Sequence, residues 1–425
     1  MIETSTLSHR ELLNIIVAAW FTPGRRASAA NADNDASESV DRTTWGLPLL
    51  LWDEPGTGKT SALEQLGRLC GFDTVVTIAL NNRPPEDVGG YAIPSRTRDS
   101  MSKVPDAWVS NVNAARRAVV LFDEFTVDED RQAAALRVFS ERMAGETRIA
   151  GTVRLAAMAN PPSCAATPHE MTPPNANRFG HAQWVGYDVD EFTDWLVAGA
   201  GAQEIDPIDP DRLEQRVLEL WPAAMARAAA TVKGYLRRFP QDLHQMPKSQ
   251  GGEGEVDELR WCSRRTWEMV TRALASARAH GLSPVETDAF IGMFIPAGVA
   301  TRFATFRADQ DIAEPAEYLD GLVEFTPTSR VDRTFAIMEM CAAFLANKAT
   351  PDRQRRAVKW WAMAQKVLEH KYGGKDFVVP SVKLMARPES KGGAGLGQAV
   401  VPEAAPVITA LADVLMAERD ARNRI

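Results

Sequence analysis

The stretch Asp53-Glu54-Pro55-Gly56-Thr57-Gly58-Lys59-Thr60 constrains this chain more than any other segment. An apolar run over 47–52 precedes it. After it, Ala62, Leu63, Leu66 and Leu69 recur at helical spacing until Gly71. That pattern reads as a buried strand, a tight glycine turn and a helix over 61–70. A turn of this kind brings backbone N–H groups and a helix N-terminus to one point, which is what a chain of phosphates requires. Gly56 and Gly58 let the backbone approach closely because they lack a Cβ. Pro55, Gly56, Thr57, Gly58, Lys59, Thr60 and Ser61 are therefore the candidate nucleotide-binding residues. Lys59 is expected to bridge the β- and γ-phosphates of ATP, and the Thr60 hydroxyl to hold Mg²⁺.

The second signal is Val119-Val120-Leu121-Phe122-Asp123-Glu124. Four apolar residues bury a central strand and deliver two carboxylates at its carboxyl end, where open α/β sheets bind ligands. Asp123 is expected to hold Mg²⁺ through water, and Glu124 to polarise the attacking water. Taken alone, a strand that leaves the core through an acidic turn gives the same pattern.

Between and after these segments, 74–80 and 153–159 read as strands and 131–143 as a helix. Strands alternating with helices imply an α/β fold with a parallel sheet covered on both faces. The α/β pattern closes near Tyr187. Helices are expected at 191–197, 211–220, 223–239, 265–280 and 284–294, and further on at 334–347, 352–370 and 406–422. The apolar run 12–21 is too short to span a membrane and reads as an N-terminal helix. Residues 25–42 contain almost nothing large and apolar, so they read as a flexible connection, as does 250–254. The stretch 373–402, rich in Gly, Pro and Lys, reads as exposed.

Three further residues carry two readings each. Asn160, just past the strand 153–159, could orient water between the phosphate loop and the acidic strand, or could belong to an Asn-Pro turn. Arg178, in Asn177-Arg178-Phe179, could offer a guanidinium to a γ-phosphate or form a surface ion pair. Ser263-Arg264-Arg265 could be an N-cap with a solvated basic first turn, or could aim an arginine at phosphate.

Composition narrows the function classes. The net charge of −8 argues against a general nucleic-acid binder, which needs a concentrated basic surface. Cys70, Cys164, Cys262 and Cys341 form no metal-ligand or disulfide spacing, which fits a reduced, cytoplasmic compartment. No HExxH, GxSxG or EF-hand pattern is present.

In this order, these elements resemble a MoxR-type AAA+ ATPase over about residues 45–190, and more faintly to about 300. The resemblance extends to Asn82-Arg83-Pro84-Pro85-Glu86-Asp87-Val88-Gly89-Gly90, which in the family leads into an inserted hairpin, here 89–105. It also covers Met158-Ala159-Asn160-Pro161 and the segment from Met171 to Phe179. It implies a five-stranded αβα core over 44–190, a helical lid over 191–312, and a C-terminal helical extension over 313–425, with the N-terminal helix over 1–24 and the linker over 25–43. It implies that Asn160 is the first sensor and that Arg178 is a finger acting on a neighbour's nucleotide. Arg265 takes the place of the second sensor, with Arg264 as a competitor where the family has proline. A ring of six subunits is implied, as is chaperone-like remodelling of a protein client, often one with a von Willebrand A domain. The sequence departs from the family at Asp53, where glycine is usual. That carboxylate favours a second reading, a weakly hydrolysing nucleotide-gated assembly switch. A DNA-directed AAA+ protein is a third, and the acidic balance disfavours it.

Overall fold

The computed structural model describes residues 7–24, 44–95, 97, 99–161, 163–164, 171–198, 206–247, 259–308, 312–346, 350–391 and 393–412. The connection expected over 25–42 and the loop expected over 250–254 lie outside the described residues. The chain divides into two compact units. One comprises Met1–Glu219 with Leu243–Thr301, the other Leu220–Asp242 with Arg302–Ile425. This division runs through the lid drawn from the sequence at 191–312 and keeps the extension at 313–425 within the second unit.

The first unit is built on a five-stranded, all-parallel sheet. Its strands are β1 (Leu49–Trp52), β2 (Thr74–Ala79), β5 (Ala118–Asp123), β8 (Val153–Ala159) and β9 (Gly180–Gln183), in the order β2-β5-β8-β1-β9. Two short antiparallel pairs stand apart: β3 (Tyr91–Pro94) with β4 (Met101–Val104), and β6 (Met143–Ala144) with β7 (Thr147–Arg148). The central strands β1 and β8 are buried along their whole length, as unbroken apolar runs in a sheet covered on both faces should be. Register then sets the chemistry. Trp52 pairs with Ala159, and Phe122 with Ala157, so Asp53, Asp123 and Asn160 leave three adjacent strands at one edge of the sheet.

The helix His9–Trp20 is the N-terminal helix expected from 12–21. Ser8 caps it in a reciprocal arrangement with Glu11, and its apolar side is buried against the helices Arg264–His280 and Pro284–Gly292. Arg154, on β8, is the largest departure from a purely apolar core. Its guanidinium is fully buried, with its carbon 5.1–5.2 Å from the ring centroids of Phe21, Trp45 and Phe72. It donates to Glu214 and to the Thr152 carbonyl at 2.7 Å. The hairpin expected within 89–105 is the β3–β4 pair, with Tyr91, Ile93, Met101 and Val104 exposed.

Two expectations need correction. The separate helices at 211–220 and 223–239 are one helix, Pro210–Arg238, which runs through Pro222. A proline removes one intrahelical hydrogen bond, which a long helix with anchored flanks tolerates. Its first turns are tied by Asp211 and Glu214 to Arg117. The stretch 373–402 is not an exposed segment throughout. It contains the helix Lys375–Ala386, in which Val378, Val382 and Met385 form a buried stripe, and Ala394, Leu396 and Val401 are buried beyond it. The helical spacing of those residues was masked by Pro380 and the surrounding glycines.

The second unit packs Val331–Ala346, Arg353–Glu369 and Lys375–Ala386 around the fully buried Trp360 and Trp361. Their indole N–H groups donate to the Met338 and Leu396 carbonyls at 3.1 and 2.9 Å. The last described helix is Ala405–Ala410, and the remainder of the helix expected to 422 lies outside the described residues from 413 on. None of the four cysteines forms a disulfide, and of the four only Cys164 is exposed. No helix among the described residues is long and apolar enough to cross a membrane.

Candidate functional site

The phosphate loop sits at the carboxyl end of β1. Gly56 and Gly58 have φ of 87° and 83°, the left-handed region that disfavours any residue with a Cβ. A Cβ built on either meets nothing within 4 Å, so the loop faces open space rather than packed protein. The helix Lys59–Leu69 starts directly behind it. Its N-cap is Gly58, with no side-chain cap, which leaves the N–H groups of Lys59, Thr60 and Ser61 without intrahelical partners. That is the arrangement an anion needs.

Four segments converge in front of this turn. The Thr60 hydroxyl donates to Asp123 Oδ2 at 2.8 Å. Lys59 Nζ donates to the Asp53 and Glu54 carbonyls at 2.9 and 2.7 Å and to Asn160 Oδ1 at 3.3 Å. Asn160 Nδ2 donates to both carboxylate oxygens of Glu124, at 3.0 and 3.1 Å. Glu124 reaches that position from a left-handed backbone, φ 53°, rare for a residue with a side chain and typical of strain held at a functional site. Its own N–H donates to Asp123 Oδ1 at 2.9 Å. Lys59 is 7% exposed. Burial pushes its ammonium pKa below the ordinary value, against the pull of the Asp53, Asp123 and Glu124 carboxylates.

Thr60 and Asp123 offer neutral and anionic oxygens side by side, the donor type Mg²⁺ prefers. No group of three or more His, Cys, Asp or Glu side chains able to hold a metal occurs among the described residues. A Mg²⁺ ion held by Thr60 and Asp123 would complete its shell with phosphate oxygens and water, its usual mode in nucleotide sites.

Arg178 and Arg265 do not line this loop. They share a separate cavity of about 630 Å³, lined also by Phe139, Glu141, Arg264 and Glu268 and by no residue of the phosphate loop. The Arg178 guanidinium is held below its ordinary pKa by burial and by Arg265, with Glu141 acting in the opposite sense. Its Nε is buried with no hydrogen-bond partner among the described residues. Arg264 and Arg265 open the helix Arg264–His280, whose first turn carries no acidic residue, so both oppose the helix dipole. The mutual repulsion of Arg178 and Arg265, opposed by Glu141, is relieved by an anion placed between them.

Asn177 is what brings these arginines together. It is 4% exposed; its Nδ2 donates to the Trp261 carbonyl at 3.0 Å and its Oδ1 accepts from Ser263 Oγ at 2.7 Å. Ser263 is the N-cap expected from the sequence and also accepts from Thr266 N at 3.1 Å.

Sequence reasoning missed Asn177, Gln183 and Trp184. Gln183 Nε2 donates to Asp53 Oδ1 at 3.2 Å, and Trp184 Nε1 donates to the Thr57 carbonyl at 3.2 Å. The last two lie in no motif, and only the pairing of β9 with β1 brings them to the loop. His181, also on β9, is buried and neutral: burial pushes its pKa down to about 4, its Nε2 donates to the Ala176 carbonyl, and its Nδ1 accepts from Trp52 Nε1 at 3.1 Å.

No protein-family model matches the chain, and no curated protein matches it. Among solved structures it is similar to a "putative ATPase" from Cytophaga hutchinsonii ATCC 33406. The two share 13% identity over 77% of this chain and 93% of that one, with a TM-score of 0.40.

Proposed function

We propose that this chain is a MoxR-type AAA+ ATPase that binds ATP with Mg²⁺ at the loop 53–60 and hydrolyses it to remodel or activate a protein client. The observation that carries this reading is the convergence of Lys59, Thr60, Asp123, Glu124 and Asn160, from two strand ends and a helix start, into one hydrogen-bonded set. A surface ion-pair cluster has no need of an open glycine loop beside it. Thr60 and Asp123 would hold Mg²⁺, which would supply neutralisation of the phosphate charge.

The chain's own residues have separable roles. Lys59 and the N–H groups of the loop bind the phosphates. Asn160 holds both oxygens of Glu124, which fixes the carboxylate that orients the attacking water and accepts its proton. Arg178 and Arg265, remote from this loop in their own cavity, are offered to the nucleotide of an adjacent copy in a ring. The Arg178 Nε, buried without a hydrogen-bond partner among the described residues, supports that role, since a finger stabilises phosphate charge only when presented to it.

Steady-state ATP turnover and equilibrium nucleotide binding test the reading together. Lys59→Ala is expected to lose binding. Glu124→Gln is expected to bind ATP and lose turnover by about 10²-fold or more. Arg178→Ala subunits, inactive alone, are expected to regain activity when mixed with Lys59→Ala subunits, because one mixed interface holds an intact loop and an intact finger. Near-normal turnover by Glu124→Gln, or no rescue in subunits shown to exchange, counts against these assignments.

A further inference from the structure

Asp53 occupies the opening position of the phosphate loop, and its carboxylate lies close enough to Lys59 to act on the charge of the ammonium. Phosphates bound by Lys59 would lie in the same field and be repelled. The carboxylate is nonetheless held. β9 is the edge strand beside β1, Gln183 pairs in register with Trp52, and the Gln183 amide donates to Asp53 Oδ1. Trp184, the next residue, adds two ties: its backbone N–H donates to the Trp52 carbonyl at the end of β1 at 2.7 Å, and its indole donates to the Thr57 carbonyl in the loop.

We propose that Gln183 is a positioning residue that holds the Asp53 carboxylate against the edge strand and so keeps the phosphate cradle open to a nucleoside triphosphate. The inference rests on the reading of this loop as an ATP site. A neutral amide suits the task. It directs the carboxylate with one hydrogen bond without adding a cation that would compete with Lys59 for phosphate. Without Gln183 the side chain is free to turn toward the phosphates, and the resulting repulsion grows with ligand charge. The effect must therefore scale with phosphate number and must require the Asp53 charge.

The test is a double-mutant cycle read by calorimetric titration of ATP, ADP and adenosine at fixed Mg²⁺ and salt, on wild type, Gln183→Leu, Asp53→Asn and the double variant. Gln183→Leu is expected to weaken ATP binding by about tenfold, which corresponds to about 1.4 kcal/mol. The loss should be smaller for ADP and absent for adenosine. In the Asp53→Asn background, Gln183→Leu is expected to change no affinity. Equal losses in both backgrounds, or a loss independent of phosphate number, would make Gln183 a merely structural residue and overturn the proposal. An unchanged ATP affinity in Gln183→Leu overturns it as well. If wild type binds ATP no better than adenosine, the ATP reading itself fails and the inference falls with it, an outcome distinct from the others.

Discussion

Removing the Asn177 side chain separates what holds Arg178 beside Arg265 from what the proposed nucleotide loop binds. In Asn177→Ala, two buried hydrogen bonds disappear, one to the Trp261 carbonyl and one from Ser263 Oγ. Neither partner is left stranded. Thr266 Oγ1 already donates to the Trp261 carbonyl at 3.2 Å and stands 3.3 Å from Ser263 Oγ, within reach of its hydroxyl. The cost is therefore close to the net value of two neutral hydrogen bonds, about 1 kcal/mol each, rather than the larger penalty of orphaned buried groups. A loss of about 2 kcal/mol in unfolding free energy follows, roughly 30-fold in the folding equilibrium. The functional effect is selective. The Ser263 cap is retained through Thr266 N, so the helix still begins at Arg264, but the tie that fixes Arg178 beside Arg265 is gone. ATP affinity should stay within about twofold of wild type while turnover falls by about tenfold or more, because a guanidinium acts in the transition state only when positioned. Urea unfolding, nucleotide titration and steady-state turnover on one preparation decide it. A stability change below about 0.5 kcal/mol, the usual range for an exposed substitution, would refute the bookkeeping of hydrogen bonds. Parallel loss of ATP affinity and turnover would refute the separation of the two arginines from the loop.

The buried Arg154 gives an asymmetric pair of substitutions. Glu214→Ala strands the Arg154 guanidinium, which is 0% exposed, and should cost about 3–5 kcal/mol; Arg154→Met leaves Glu214 paired with Arg117 and should cost clearly less. Urea unfolding of both variants checks the order, and the reverse order would show that the network is misread. His181 sets a pH window. Its folded pKa of about 4 lies below the ordinary 6.5, so between those values the unfolded chain binds more protons than the folded one. Its contribution is whole above about pH 6.5 and declines as the pH falls, reaching about 3 kcal/mol lost near pH 4. Unfolding free energy against pH should therefore have a shallower acid limb in His181→Gln than in wild type, and identical limbs would remove His181 from the account.

The glycine turn at 53–60, the acidic strand end and the strands carrying them were legible because each is set locally. A glycine turn after an apolar run, or two carboxylates after four buried residues, needs no tertiary information to be recognised. The start of the helix at Arg264 was legible for the same reason, whereas the β3–β4 hairpin was expected only from the family resemblance. Misreadings fell where local signals conflict with packing. Pro222 and Pro380 read as breaks, yet each lies inside a helix whose neighbours are anchored or buried. Arg154 carried no signal at all, since a single arginine in an apolar strand is as compatible with a surface edge as with a core filled by three aromatic rings.

By itself, then, the sequence determined which residues are candidates to bind phosphate and activate water, since backbone freedom at Gly56 and Gly58 and the chemistry of Lys59, Asp123 and Glu124 are properties of the residues. The tertiary structure decided how they act together. Parallel register between β1, β5 and β8 places Asp53, Asp123 and Asn160 in one row, and the left-handed turn at Glu124 aims its carboxylate at Asn160. The same structure set Arg178 beside Arg265 in a cavity apart from the loop and gave Asp53 its partner in Gln183. Those contacts join residues far apart in the chain. Their geometry depends on the order of strands in the sheet, which no local spacing encodes.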